Sequence, residues 1–123
     1  MLLVCTGSIF SETLRAARAL VLDGIDADIY SLRFIKPFNE KYFAGIAKLY
    51  CGIVFIEDGV KMGGISEWLE SFVHGSTETS FLKTALLAFP DRFVANGNRE
   101  QILEEAGLSS EKIVNAAKEL MRI

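Results

Sequence analysis

The sequence predicts an α/β protein of three layers, α/β/α, on a mainly parallel central sheet of about four strands. Three observations carry this prediction. Apolar runs of strand length alternate with longer stretches of helical period. The first and third runs, Leu2 to Thr6 and Cys51 to Ile56, are almost continuously apolar, as strands covered on both faces are. The connections between elements are short and punctuated by Gly and Pro, which suits parallel strands joined by right-handed crossovers. With 123 residues, 50% hydrophobic and 24% charged, the chain reads as a single domain over residues 1–123.

Leu2 to Thr6 is expected as a central strand ending at Gly7-Ser8. From Ile9 the period becomes helical: Phe10, Leu14, Ala17 and Val21 recur on one face, Glu12, Arg15 and Arg18 lie between them, and Gly24 stops the helix. Ala27 to Leu32 alternates and reads as a strand nearer an edge. Pro37 breaks the chain, and Asn39 is placed to cap a helix from Glu40 to Tyr50, with Phe38 and Phe43 forming a hydrophobic staple and Phe43, Ile46 and Tyr50 facing the sheet. Cys51 to Ile56 is the second central strand. A loop with Gly59, Gly63 and Gly64 leads to a helix whose Ile65, Trp68, Leu69, Phe72 and Val73 form one face. A fourth strand covers Lys83 to Ala88. Asn98 caps a short helix ending at Gly107, and Ser109 caps the last, with Leu108 stapled to Ile113.

The composition restricts the partners. A net charge of −3 without a Lys/Arg stripe leaves no surface for neutralising phosphates, so nucleic acid is not expected. The longest apolar runs, such as Ala19 to Leu22 and Ala85 to Phe89, fall far short of the roughly 20 residues that span a bilayer. The start, Met1-Leu2-Leu3-Val4-Cys5, has no basic segment of the kind that opens a signal peptide, and a cytoplasmic location is the expectation. Cys5 and Cys51, both in apolar runs, are expected as buried, inert thiols. His74, before Gly75, is expected to cap free carbonyls at a helix end.

In such a sheet, ligands gather beyond the carboxyl ends of the strands where the strand order reverses, here between the loops after the first and third strands. That brings Gly7, Ser8, Glu57, Asp58, Gly63 and Gly64 together. Gly7-Ser8 reads as a strand-to-helix turn, with an anion on free backbone N–H groups as the alternative. Adjacent residues of an extended strand point to opposite sides, so Glu57 and Asp58 are poorly placed to cooperate as acid and base, and Asp58 is read as a loop or interface residue. Gly63-Gly64 admits a flexible turn or the close approach of another backbone. Asp91-Arg92 reads as an ion pair or a tie to a neighbouring domain. The sequence offers no Ser/His/Asp set, metal-ligand cluster or redox pair of cysteines.

Several stretches, taken together, resemble the C-terminal domain of the transketolase family, and within it the branch of the 1-deoxy-D-xylulose-5-phosphate synthases. They are Cys5-Thr6-Gly7-Ser8, Leu32-Arg33-Phe34-Ile35-Lys36-Pro37, Glu57-Asp58-Gly59-Val60 with Met62-Gly63-Gly64, and Pro90-Asp91-Arg92-Phe93 through Gly97, followed by Arg99, Leu103 and Gly107-Leu108. Ser66 and Asn96-Gly97-Asn98 depart from the family's commoner residues.

The resemblance implies a transketolase C-terminal-domain-like fold in an enzyme that uses thiamine diphosphate and magnesium to decarboxylate pyruvate and join the two-carbon unit to glyceraldehyde 3-phosphate. It implies that cofactor and metal sit on the N-terminal and middle domains. This chain would then hold no cofactor, metal or catalytic residue, complete the architecture and a homodimer, and be inactive in isolation. Asp58, Gly63, Gly64, Asp91, Arg92 and Phe93 are the candidate interface residues. The alternatives are a stand-alone module holding a small anion at Gly7-Ser8, and the C-terminal domain of a 2-oxo acid dehydrogenase β subunit, against which Pro90-Asp91-Arg92-Phe93 favours the synthase.

Overall fold

The structure, a computed structural model, describes residues 1–92 and 96–122. Its elements in chain order are β1 (Leu2–Thr6), α1 (Phe10–Leu22), β2 (Asp28–Leu32), α2 (Glu40–Ala47), β3 (Gly52–Val60), α3 (Ile65–Gly75), β4 (Lys83–Phe89), α4 (Arg99–Ala106) and α5 (Ser110–Met121). The four strands form one sheet in the order β2-β1-β3-β4, and all its pairings are parallel.

This order explains the layers. The chain steps from β1 to β2 in one direction and from β2 past β1 to β3 in the other, so right-handed crossovers must place α1 and α2 on opposite faces. The core divides accordingly. Leu3 and Cys5 of β1 and Val54 and Ile56 of β3 pack with Ala16 and Leu20 of α1, Leu103 of α4 and Ile113 of α5. Leu2, Val4, Ile53 and Phe55 point to the other side, against Phe43 and Ala47 of α2 and Leu69 and Val73 of α3. Strand alternation thus feeds both faces with apolar side chains, which is why these two runs carry no polar residue until Thr6 and Glu57.

The helix ends follow from local chemistry. Asn39 accepts the Tyr42 amide at 3.0 Å, and the Phe38 and Phe43 rings lie 5.5 Å apart as a staple. Asn98 and Gln101 form a reciprocal capping box, Ser109 accepts from the Lys112 amide, and Gly107 closes α4 at φ 77°.

Four expectations are corrected. The buried face of α1 is Ile9, Thr13, Ala16, Ala17 and Leu20 with Glu12, whereas Phe10 and Val21 are exposed. The small residues let the helix approach the sheet closely, and Glu12 is buried because α5 covers it, a tertiary effect that periodicity alone does not encode. Helix α2 stops at Ala47 rather than Tyr50, and the Tyr50 hydroxyl donates to Asp28 at 2.9 Å. Cys51 is exposed, one residue before β3, with its Sγ 3.6 Å from Met121 Sδ, while Cys5 is buried as expected. The end of α3 is capped by the buried Thr79, whose hydroxyl donates to the Val73 carbonyl at 2.8 Å, and not by His74.

Candidate functional site at the carboxyl edge of the sheet

Because every strand runs the same way, the segments after β1, β2, β3 and β4 emerge along one edge. Gly7, at φ 60°, opens a single 3-10 turn, Gly7–Ile9, into α1. The Ser8 amide donates to Asp58 Oδ2 at 3.2 Å, and the Ser8 hydroxyl donates to the same oxygen. Arg99, the first residue of α4, reaches back with its guanidinium to the Ser8 carbonyl at 3.0 Å and to Ser8 Oγ at 3.3 Å.

Glu57 points the other way, as adjacent residues of a strand must. Its carboxylate accepts the Ile65 amide at 3.3 Å and the Ser66 amide at 3.0 Å, capping α3, whose N-cap Gly64 has no side chain to do so. Gly64 is required for this. A Cβ there would lie 2.6 Å from Glu57 Oε2 and 2.7 Å from the Val60 carbonyl oxygen. Gly63, at φ 75°, donates its amide to Glu67 at 2.8 Å.

The single neighbourhood expected from the sequence divides in two: Gly7 and Ser8 meet Asp58, while Gly64 meets Glu57, which points the other way. The close approach that Gly64 permits is to the chain's own Glu57, and Asp58 is turned inward onto Ser8. Gly7-Ser8 is the strand-to-helix turn expected, and the alternative of an anion on free amides fails at Ser8, whose amide has an intramolecular partner. Arg92 pairs with Glu105 at 3.4 Å rather than with Asp91, and both partners are exposed enough that the pair is worth at most about 1 kcal/mol. Phe93 lies outside the described residues. Sequence reasoning missed the role of Arg99, which carries no local signature, and that of Glu12, whose carboxylate accepts the Ser110 amide at 2.9 Å and caps α5 from another helix.

The crevice between β1 and β3 does not fit a diphosphate. Asp58 and Glu57 already stand where an anion would meet the Ser8, Ile65 and Ser66 amides, and a second negative group there would be repelled. Among the described residues no three His, Cys, Asp or Glu side chains are placed to hold a metal ion. His74 sits at the opposite edge: its Nε2 is 2.8 Å from the Thr84 hydroxyl, which itself donates to Glu70 at 2.7 Å. With that single hydroxyl proton committed to Glu70, the imidazole Nε2 is the donor.

Residues 1–113 match the family described as transketolase, C-terminal domain, and the chain belongs to that family. Among curated relatives, the 1-deoxy-D-xylulose-5-phosphate synthase of Treponema pallidum (strain Nichols) is 44% identical over 121 residues, covering 98% of this chain and 19% of the relative. The synthase of the same name from Gloeobacter violaceus is 31% identical over 120 residues, 97% of this chain and 18% of the relative. The chain thus spans about a fifth of the length of the curated relatives it matches. A solved structure described as a split gene transketolase, inactive beta4 tetramer, superposes with a TM-score of 0.86 at 21% identity, over 98% of this chain and 38% of that one. The transketolase of Campylobacter jejuni gives a TM-score of 0.65 at 19% identity, over 96% of this chain and 16% of that one. At these identities the two structures speak for the fold alone.

Proposed function

We propose that this chain is the C-terminal domain, within a longer polypeptide or as a separate subunit, of a thiamine-diphosphate- and magnesium-dependent synthase. That enzyme would decarboxylate pyruvate and join the two-carbon unit to glyceraldehyde 3-phosphate, giving 1-deoxy-D-xylulose 5-phosphate, a precursor of isoprenoids and thiamine. The observation that carries the reading is the 44% identity to the Treponema pallidum synthase along 98% of this chain. In this reading the chain supplies architecture and part of a homodimer in the cytoplasm, while cofactor and metal rest on the N-terminal and middle domains. Asp58, Gly63, Gly64, Asp91 and Arg92 then lie on or directly support the face that meets those domains. The satisfied hydrogen bonding of the β1–β3 crevice supports this division of labour, since a scaffold needs its loops held rather than free.

A chimera tests it. Replacing the matched region of the Treponema pallidum synthase with this chain is expected to leave a folded enzyme that forms 1-deoxy-D-xylulose 5-phosphate from pyruvate and glyceraldehyde 3-phosphate. A chimera that folds and dimerises but cannot turn over would overturn the reading. Calorimetry of the isolated chain with thiamine diphosphate is expected to show no tight binding, and tight binding would overturn the division of labour.

A further inference from the structure

We infer that the outer side of β4 is a self-pairing surface: two copies of this chain join along it, antiparallel about a two-fold axis at Leu86, into one continuous sheet. Self-pairing goes beyond the reading above and does not rest on it. Strand β4 ends the sheet and pairs only with β3. Ile56 stands beside Leu87 and Val60 beside Phe89, so the extra residues of the register shift lie in β3 and β4 itself stays regular.

The backbone of β4 has a free side. The Phe89 carbonyl accepts the Lys61 amide at 3.1 Å, which turns Phe89 toward β3. The N–H and C=O of a strand residue point the same way and alternate along the strand, so Lys83, Ala85 and Leu87 also face β3, while Thr84, Leu86 and Ala88 face outward. Among the described residues nothing outside the β3 ladder meets the outward backbone groups; the contacts of Thr84 with Glu70 and His74 use its hydroxyl. Such a row of donors and acceptors is what another strand recognises.

The side chains do not guard it. Thr84-Ala85-Leu86-Leu87-Ala88-Phe89 contains no charge, Pro or Gly, and every one of these residues is half-buried, unlike the fully covered run of β3. The opposite edge strand, β2, instead carries an exposed Asp28 and Ser31 and is followed at once by Arg33. Charge blunts that edge and leaves β4 as the open one.

A second copy is the occupant that the ends of β4 select. Exposed Lys83 opens the strand, and exposed Asp91 lies just beyond it. Neither takes part in an ion pair among the described residues, and the Lys83 ammonium meets only the Arg122 carbonyl, at 3.3 Å. With the two-fold at Leu86, Leu86 exchanges bonds with its own copy and Thr84 with Ala88 of the second copy, so each outward donor finds an acceptor. Lys83 then lies one diagonal step from Asp91 of the second copy, within reach of a long side chain. A parallel pairing would set like charges together, and a partner of one charge would suit only one end. One strand pair buries less than a standard interface, so the dimer is reversible and grows with concentration.

Analytical ultracentrifugation of this chain over rising concentration tests the pairing, together with hydrogen exchange at the two ends of the range. The sedimenting mass is expected to rise from one chain to two, and the amides of Thr84, Leu86 and Ala88 to exchange more slowly in the dimer while those of β2 do not change. Lys83→Glu and Asp91→Lys, both at exposed positions, are each expected to weaken association about fivefold, and the double variant to restore it. A chain that stays single at every concentration overturns the inference. So does a dimer whose β4 amides gain no protection, or one that the two reversals weaken without mutual rescue, since its contact then lies elsewhere. None of these readouts involves turnover by the chimera, so self-pairing and the functional reading fail separately.

Discussion

Asp58 accepts the Ser8 amide and hydroxyl across fifty residues of chain, tying the end of β3 to the turn that follows β1. This bond closes the crevice where a ligand would be sought in an open α/β sheet. Asp58→Ala leaves both donors to water and is expected to lower the unfolding free energy by about 1 kcal/mol, with Asp58→Asn retaining part of it through its remaining acceptor oxygen. Urea denaturation of the three proteins measures it, and equal midpoints would show the bond to be energetically idle.

Gly64→Ala is expected to cost about 1–3 kcal/mol, because its Cβ would meet both the Glu57 carboxylate and the Val60 backbone oxygen at distances no relaxation of one side chain relieves. Thermal unfolding followed by circular dichroism reports it. Gly45→Ala, within α2 with open space at the new methyl, serves as the control and is expected to be neutral or stabilising.

Glu12 is buried, and its carboxylate holds the Ser110 amide at the start of α5. Glu12→Ala should destabilise by about 1–2 kcal/mol and loosen the α1–α5 contact, whereas Glu12→Gln keeps an acceptor and loses less. Hydrogen exchange is the discriminating readout: the amides of the first turn of α5 should exchange faster in the alanine variant, ahead of the sheet.

The two cysteines differ in reactivity. Burial pushes the Cys5 thiol above its ordinary range, against the smaller opposing effect of hydrogen bonds with Thr13 and Ser31. Cys51 is exposed. A disulfide reagent at pH 8 is expected to titrate Cys51 promptly and Cys5 only after denaturation. Prompt reaction of both would place Cys5 within reach of solvent.

Glu104 sits below its ordinary value of 4.5, chiefly because the Ser109 hydroxyl donates to its carboxylate, helped by Lys112. A carboxyl lowered on folding contributes stability above its unfolded value and loses that contribution as pH falls through its folded one. The α4–α5 junction should therefore loosen only below about pH 4.5. NMR titration of the Glu104 side chain should give a midpoint below the ordinary value, moving up toward it in Ser109→Ala.

Much of the fold was legible because local and global signals agree. The apolar runs of β1 and β3, the caps Asn39, Asn98 and Ser109, and the left-handed Gly24 and Gly107 each announce a strand or a helix end within a few residues. The neighbourhood of Ser8 and Asp58 was legible as well, since topology alone brings the ends of β1 and β3 together. The rest depends on contacts between distant residues. Nothing near Glu12 shows that a helix almost a hundred residues later will cover it, so α1 was turned to its more apolar face. Cys51 reads as inward from sequence because the apolar run begins with it, whereas the strand itself begins at Gly52. Arg99 entered only as part of the family resemblance, because a guanidinium reaching a carbonyl 91 residues away leaves no pattern in sequence from which its partner can be read.

The all-parallel sheet also sets a timetable for synthesis. Leu2 pairs with Asp28 on one side and with Ile53 on the other, so the most apolar strand emerges first and waits longest for its partners. No hairpin can shelter it meanwhile. A nascent chain halted before β3 would present Leu2-Leu3-Val4-Cys5 with an open edge, the kind of segment that self-associates, so the topology that aligns the loops also delays the shelter of the central strand.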